Sequence, residues 1–366
     1  MNLASLPNYF LIVVAGSALW AIVFDALIGD PHKKWHPVNL IGLAINDFKR
    51  KLLSGYARKD KFFGILLIFL VTLLIGGAFF AFQVATWGFL GIWDSSLQEG
   101  FLKQLAYVTI YTILMGIGLK WTFAIRNLGD ETEPIMKALQ TGNLVDARSR
   151  LRMIVRRDTM ILDESHVISA TVEVIAESST DSITSVFWYY FKGCFLGLFV
   201  FKIAERFTPT WVGNYLWLFM GIPFAYLFRT INTADSIVGY MDPENVNIGW
   251  FSAKMDTLSH VISTPLTVAC MLLVGKVLKL NARNGWKIFR TDRKKASSSN
   301  AGWTIGVMAG LLNVRLEKIG HYKLGNPERT LIPADVRMSF KVVRIASFLC
   351  IAILACIFLP LMTIFI

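Results

Sequence analysis

A series of long apolar runs limits the folds that this chain can adopt. A transmembrane helix needs about 20 mainly apolar residues. Six stretches predict such spans, at 8–28, 62–90, 104–125, 183–204, 211–229 and 343–366. Only 17% of the residues are charged, whereas soluble domains contain about 25%. The sequence therefore predicts an all-α fold, a polytopic integral membrane helical bundle formed as a single domain over 1–366.

The distribution of basic residues predicts how the chain is oriented. Cytoplasmic loops carry an excess of Lys and Arg, and these residues are frequent in 29–61 and 126–182 but scarce in 91–103. We therefore expect a multi-pass cell-membrane protein with its N-terminus outside and with 29–61, 126–182 and 230–257 in the cytoplasm. We assign most of the net charge of +12 to contact with the lipid bilayer. An anionic substrate is a second contributor, and no nucleic-acid partner is expected.

One apolar segment conflicts with this alternation. Segment 258–275 contains several hydroxyl side chains together with His260 and Pro265, and the segment that follows, 276–342, is strongly basic. A crossing at 258–275 would place that basic segment outside. Polar backbone at membrane depth is tolerated where it is buried in protein. We therefore expect 258–275 to be re-entrant or buried without crossing, so that 276–342 stays inside and the C-terminus lies outside.

The region 126–182 is predicted to be a cytoplasmic helical insert. Apolar residues recur at helical spacing on both sides of Gly142, which predicts a short helical hairpin. A longer amphipathic helix is expected from about residue 156. Its residues at steps of three and four share one face; they are Asp163, His166, Ala170, Glu173, Glu177 and Asp181.

The acidic part of this row admits two interpretations. Carboxylates four residues apart repel each other, and a hard cation would relieve that repulsion. Mg²⁺ prefers one or two carboxylates plus substrate phosphates. The alternative is a solvated acidic face paired with Arg156 and Arg157.

Further polar residues flank the apolar runs. RTINTADSIVGYMDPEN, which begins at Arg229, carries a cation, amides and carboxylates directly after an apolar run. It is either an interfacial cap or part of a site. We expect the helix to end near Thr230 and INTADS to form a loop folded over substrate. Asn300 precedes an apolar helix whose N-terminus could bind phosphate.

The first apolar run contains Asp25, and Asp30 follows it. Ionisable residues at membrane depth indicate function by default, so Asp25 would also suit a transporter. The alternative is that Asp25 caps the span or pairs with a neighbouring Arg. We interpret His32 and His36, in the Trp- and Pro-rich loop that follows, as interfacial anchors rather than ligands.

Taken in order, several of these segments resemble the CbiB/CobD family of cobalamin biosynthesis, the adenosylcobinamide-phosphate synthases. The matching pieces are FDALIGDPHKKWHPVNLIG, RMIVRRDTMILDESHVISATVEVIAESSTDSITSVFW, RTINTADSIVGY, NIGWFSAKMD and NAGW with AGLL. The chain departs from the family pattern at Ser178, Ser182, Thr257 and His260. A related branch, similar to AmpE, is associated with β-lactamase signalling, so the second hypothesis is a non-catalytic membrane regulatory protein.

The resemblance implies that the chain uses ATP to join aminopropanol, or its phosphate, to adenosylcobyric acid, with Mg²⁺ as cofactor. Homo-oligomers or complexes with other cobalamin-pathway enzymes are further expectations. The predicted catalytic residues are Glu173, Glu177, Asp181 and Arg229. The predicted substrate-binding residues are Asp30, Arg157, Asp158, Asn232, Asp235 and Asn300. The predicted metal ligands are Asp163, Glu173 and Glu177. A corrin groove lined by Trp35, Trp188 and Trp250 is a further hypothesis, and the alternative is an interfacial aromatic belt.

Overall fold

A computed structural model describes residues 6–30, 36–90, 101–208, 212–296 and 299–366 of the chain. Over these residues the fold is all-α apart from one short β-hairpin, as predicted. The helices are α1 Leu6–Leu27, α2 Pro37–Leu52, α3 Ala57–Phe89, α4 Phe101–Lys120, α5 Arg126–Gln140, α6 Leu144–Arg152, α7 Glu164–Ser179, α8 Ser185–Phe207, α9 Gly221–Val238, α10 Trp250–Ser259, α11 Ser263–Val277, α12 Ala282–Asp292, α13 Ser299–Leu312 and α14 Ala334–Thr363. A π-helical turn spans Thr180–Thr184, a 3₁₀ helix spans Val212–Phe219, and strands β1 Leu316–Lys318 and β2 Tyr322–Leu324 form the hairpin.

Several helices have the length and composition of membrane spans. Among the described residues, five qualify: Tyr9–Leu27, Ala57–Phe89, Leu102–Lys120, Glu164–Phe207 and Ala334–Thr363. The bent pair α10 and α11 would be a sixth if it is one span. These findings confirm a polytopic membrane fold.

Two predicted apolar segments do not form single straight helices. The predicted span 211–229 is divided between the 3₁₀ helix and α9, and neither is among the helices that qualify. Segment 258–275 overlaps the bent pair, whose break lies between Ser259 and Ser263. Because such a pair is either a broken span or a re-entrant loop, the re-entrant path and the orientation of the chain stay predictions.

The chain divides into two compact units. Unit 1 consists of Met1–Ala124, Val186–Leu258 and Ile353–Ile366, and unit 2 consists of Ile125–Ser185 and Ser259–Ala352. The predicted insert 126–182 therefore forms one part of unit 2.

Unit 1 is held together by close contacts between apolar helices. α1 packs against α4, where a Cβ atom on Gly116 would lie 2.5 Å from Cβ of Trp20. Only glycine permits this approach of the two backbones. α3 packs against α9 through the stacked rings of Phe79 and Tyr226, whose centroids are 4.3 Å apart.

The predicted end of the helix near Thr230 is wrong. α9 continues to Val238, so Asn232 and Asp235 lie in the helix and INTADS does not form a loop. Thr230 and Ala234 are fully buried, and α9 has α2 and α3 among its neighbours. The helix therefore continues through this polar sequence because residues at helical spacing within it are buried.

Unit 2 contains the predicted helical hairpin, formed by α5 and α6. Gly142 has a φ of +70° at the turn between them, which confirms the predicted break. The next helix, α7, begins at Glu164 rather than near residue 156, because Asp163 caps it by accepting a hydrogen bond from the backbone N–H of His166. Most residues of α7 are buried, and the helix has α5, α13 and β1 among its neighbours.

Candidate functional site

One polar cluster of unit 2 centres on the buried carboxylate of Glu173. Arg157 Nη2 donates to Oε2 of Glu173 over 2.6 Å. The Tyr322 hydroxyl donates to the same oxygen over 3.0 Å, and the Ser169 hydroxyl donates to Oε1 over 2.8 Å. The Glu173 side chain is 2% exposed and that of Arg157 is 18% exposed. The buried carboxylate thus fixes a partly accessible guanidinium. We call these four residues the Glu173 cluster.

The segment before α7 sets the position of Arg157. Arg148 Nε donates to the carbonyl oxygen of Leu162 over 2.6 Å, and the Thr159 hydroxyl donates to the carbonyl oxygen of Arg148 over 2.9 Å. These two bonds tie residues 159–162 back to α6. Asp158, a predicted substrate-binding residue, is exposed and accepts a hydrogen bond from the Met160 N–H within this turn.

The β-hairpin supplies a residue that the sequence did not reveal. Tyr322 lies on β2, 149 residues beyond Glu173. Burial, together with the charges of Glu173 and Glu177, raises the pKa of Tyr322 above its usual range. The phenol therefore remains a hydrogen-bond donor. The other strand is fixed to α7 because the Glu317 N–H donates to the Ser169 hydroxyl over 2.8 Å.

The acidic row continues from Glu173 towards the π-helical turn. Glu177 and Asp181 are partly exposed, whereas Glu173 is buried. Asp181 Oδ1 lies 3.1 Å from Nε2 of the fully buried His260, at ion-pair distance. π-helical turns are frequent at functional sites, and this one places Asp181 against a residue from the segment that precedes α11.

The predicted magnesium ligands do not all come together. Asp163 is the N-cap of α7, and ten residues of helix at 1.5 Å per residue separate it from Glu173, a rise of about 15 Å. One ion therefore cannot bind both carboxylates, and Asp163 is corrected to a capping residue. Its pKa is lowered, chiefly by the hydrogen bond from the His166 backbone. Within the described ranges, no three His, Cys, Asp or Glu side chains are grouped to hold a metal alone.

A Mg²⁺ site that is completed by substrate phosphates requires fewer ligands from the protein. Mg²⁺ in such sites takes one or two carboxylates from the chain. Glu177 and Asp181 are one helical turn apart and partly exposed, so they fit this requirement. Glu173 accepts three hydrogen bonds from the protein and is less suited to it.

Unit 1 contains a second polar cluster, around Lys120 at the end of α4. The Lys120 side chain is 3% exposed, and its Nζ lies 3.1 Å from Oδ1 of Asp25. Nζ also donates a hydrogen bond to Asp30, and His36 Nε2 lies 3.6 Å from Asp30 Oδ1. Asp25 therefore pairs with a neighbouring cation, which is a lysine rather than the arginine that we considered.

The environment of Asp30 favours its charged form. Burial opposes ionisation, but hydrogen bonding and charge from His36 and Lys120 outweigh it, so the pKa of Asp30 is lowered. His36 also caps α2, because its Nδ1 accepts a hydrogen bond from the Val38 N–H over 3.2 Å. His32 and Trp35 lie outside the described residues.

The predicted residues on α9 are placed along one helix. Arg229 Nη1 and Asn232 Oδ1 are 3.5 Å apart, and Asn232 Nδ2 donates to Oδ1 of Asp256 on α10 over 3.2 Å. Asp235 is partly exposed one turn further on. α9 and α10 thus bring Arg229, Asn232 and Asp256 together in unit 1.

The remaining predicted residues, Asn300, Trp188 and Trp250, lie on three different helices. Asn300 lies in the first turn of α13, close to the expected position at the helix start. The Trp188 ring packs against Phe358 at 5.4 Å. Trp250 is 38% exposed, and Lys61 Nζ lies 5.6 Å from the centroid of its ring. The corrin groove proposed for the tryptophans stays a prediction.

Comparison with known proteins identifies the family. The family described as "CobD/Cbib protein" matches residues 18–347. This chain belongs to the CobD/CbiB family. The "Probable cobalamin biosynthesis protein CobD" of Thermoplasma volcanium is 31% identical over 347 residues, which cover 94% of this chain and 97% of the relative. The protein of the same name from Methanothermobacter thermautotrophicus is 30% identical over 314 residues, covering 84% and 86%.

A third relative, "Cobalamin biosynthesis protein CobD" of Dehalococcoides mccartyi, is 28% identical over 330 residues, covering 90% of this chain and 92% of the relative. No solved structure matches the chain. Membership of the CobD/CbiB family supports a role for this chain in cobalamin biosynthesis.

Three residues of these CobD/CbiB clusters were missed at the level of sequence. Lys120 carries a detectable signal, since it is a basic residue at the end of an apolar run that follows a run containing Asp25. Ser169 occupies the face of α7 that holds Glu173, four residues away. Tyr322 has no local signal, because only the fold brings β2 to α7.

Proposed function

We propose that this chain is a carbon–nitrogen ligase of cobalamin biosynthesis. In this proposal, ATP drives amide formation between (R)-1-amino-2-propanol, or its O-phosphate, and a carboxylate of adenosylcobyric acid. The product is adenosylcobinamide or adenosylcobinamide phosphate. Family membership supports the pathway, and the Glu173 cluster is the observation that supports the chemistry.

The proposed reaction proceeds in two steps. A carboxylate oxygen of the corrinoid attacks a phosphorus atom of ATP, giving an acyl phosphate with release of ADP or an acyl adenylate with release of pyrophosphate. The amine nitrogen then attacks the acyl carbon, and phosphate or AMP leaves as the nitrogen loses a proton. Both steps develop negative charge that fixed cations stabilise.

The Glu173 cluster supplies such a cation. Arg157 is held by a 2.6 Å bond to a buried carboxylate, so its guanidinium needs little reorganisation during reaction. We assign Arg157 to the phosphate or carboxylate of the substrate, and Glu173 and Tyr322 to positioning it. We assign Glu177 and Asp181 to orienting the amine or to binding magnesium. A bound Mg²⁺ would neutralise charge on the nucleotide phosphates.

Residues of unit 1 receive separate roles. Arg229 is proposed to bind an anionic group of the substrate, with Asn232 and Asp235 as hydrogen-bonding partners. The contacts of Arg229 with Asn232, at 3.5 Å, and of Asn232 with Asp256, at 3.2 Å, support a pre-arranged polar patch. We also propose that Asp30 contacts substrate, while its ion pair with Lys120 fixes its position.

Complementation tests the proposed function. A strain that lacks this ligase activity, and therefore requires added cobinamide phosphate, should grow without it when it expresses this chain. Glu177→Gln should abolish that growth while leaving the amount of protein in the membrane unchanged. Failure of the wild-type chain to support growth, despite normal insertion into the membrane, would refute the proposal. Full function of Glu177→Gln would remove Glu177 from the site.

A further inference from the structure

Unit 2 contains a cleft of about 620 Å³ that shares no residue with the Glu173 cluster. The ends of α11 and α13 and the beginnings of α12 and α14 form it. Its polar lining residues are Lys279, Asn281, Asn313, Arg329 and Asp335. Small-molecule sites typically occupy about 300–1,000 Å³, so the cleft has the size of a ligand site.

Lys279 lines this cleft in a backbone conformation that favours glycine. Its φ is +58°. It follows Leu278, the C-cap residue of α11. The Leu280 N–H donates to the carbonyl oxygen of Gly275 over 2.8 Å, and the Lys279 N–H donates to that of Lys276 over 3.1 Å. This is the Schellman arrangement, in which the left-handed residue is usually glycine. A lysine here costs conformational energy that glycine would not, so the helix ending alone does not explain the side chain.

The end of α13 repeats this arrangement on another wall of the cleft. Asn313 has a φ of +55°, and the Val314 N–H donates to the carbonyl oxygen of Ala309 over 3.0 Å. The Asn313 Oδ1 accepts hydrogen bonds from Nδ2 of Asn281, over 3.0 Å, and from Nδ2 of Asn284, over 2.8 Å. These hydrogen bonds fix the side chains of Asn281 and Asn313, which both line the cleft and both carry amide donors.

The charge of the lining is positive. Arg329 makes a two-pronged contact with Asp335, with Nη2 to Oδ1 at 2.5 Å and Nη1 to Oδ2 at 2.9 Å. The Ile332 N–H donates to the same carboxylate over 2.9 Å. Among the described residues, Asp335 is the one acidic residue that lines the cleft, and the positive charge of Arg329 neutralises its negative charge. The positive charge of the exposed Lys279 therefore remains in excess.

We propose that this cleft binds a phosphate-bearing small molecule. Lys279 provides the positive charge, because Arg329 is paired with Asp335. The amide N–H groups of Asn281 and Asn313 provide hydrogen bonds to phosphate oxygens. The inference rests on the proposed function for its choice of ligands, because that reaction consumes ATP and takes an amine that can carry a phosphate. Asn313 lies four residues before Glu317, which contacts α7, so at most about 14 Å of extended chain separates their Cα atoms.

Equilibrium binding to the full-length protein in lipid nanodiscs tests the proposal without requiring turnover. ATP, 1-amino-2-propanol O-phosphate and inorganic phosphate are titrated separately, each in the presence of a chelator. We expect saturable binding of at least one organic phosphate. The ligand that binds identifies the source of the phosphate, and competition by inorganic phosphate shows that the phosphate group is recognised.

Lys279→Gly is the decisive variant, because glycine suits the left-handed backbone. It should unfold at the same temperature as wild type or higher while its affinity for the phosphate ligand falls about tenfold or more. Lys276→Gln, which removes an exposed charge on the same helix outside the cleft, should bind as wild type does, and Lys279→Arg should retain affinity. Equal affinities for wild type and Lys279→Gly, or no binding of any of the three phosphates, would overturn the proposal. Because binding is read without turnover, this result stands apart from the growth assay.

Discussion

Replacing Arg157 by methionine should destabilise unit 2, because it leaves Glu173 buried without its cation. Removal of one partner from a buried ion pair typically costs about 3–5 kcal/mol. Arg157 is 18% exposed, and Glu173 keeps its hydrogen bonds from Ser169 and Tyr322. We therefore expect the low end, a fall of about 3 kcal/mol in the free energy of unfolding. At roughly 2–4 °C per kcal/mol, the midpoint should fall by about 6–12 °C.

Thermal unfolding in detergent at one fixed scan rate measures this change, since membrane-protein midpoints depend on the rate of heating. Arg156→Met is the matched control, because Arg156 is the exposed neighbour, and it should shift stability by no more than about 0.5 kcal/mol. Adding Glu173→Gln to Arg157→Met should restore part of the loss, because it removes the uncompensated charge. An equal midpoint for Arg157→Met and Arg156→Met, or a double variant less stable than Arg157→Met, would show that Arg157 does not stabilise the buried charge of Glu173.

Three other predictions follow from single contacts. Asp163→Ala should cost about 1 kcal/mol of stability through loss of the α7 cap, measured by thermal unfolding, and should leave Mg²⁺ dependence unchanged; a weakened Mg²⁺ response would restore Asp163 as a ligand. The lowered pKa of Asp30 means that its stabilising contribution is complete above the unfolded pKa of about 3.9 and disappears as the pH falls through the folded pKa. Wild type should therefore lose more stability than Asp30→Asn between about pH 5 and pH 3, and parallel curves would contradict this. Gly116→Val should destabilise unit 1 by about 1–3 kcal/mol through overpacking against Trp20; a wild-type midpoint would show that the two helices can separate without cost.

The helices of this protein were predictable where one local signal dominates. Length and apolarity predict helices such as α3 and α14, because lipid requires a continuous hydrogen-bonded backbone. Gly142 predicts the turn between α5 and α6, since its left-handed φ suits glycine. The row that contains Glu173 and Glu177 was likewise visible from helical spacing alone.

Tertiary packing decided what the sequence did not reveal. Polar residues after Thr230 indicated a loop, but burial of Thr230 and Ala234 keeps α9 helical to Val238. Contacts between distant residues gave no local signal, and the hydrogen bond from Tyr322 to Glu173 crosses 149 positions of the chain. The partner of Asp25 was unknown for the same reason, because α4 brings Lys120 to it from 95 positions away.

Reconstitution with defined substrates measures the proposed ligase activity itself. The purified chain in nanodiscs is incubated with ATP, Mg²⁺, adenosylcobyric acid and either 1-amino-2-propanol or its O-phosphate, and the corrinoid product is identified by mass spectrometry. We expect an amide product, one ATP cleaved for each amide formed, and a loss of about 100-fold or more in rate for Glu177→Gln. Absence of corrinoid-dependent ATP cleavage with both amines would contradict it.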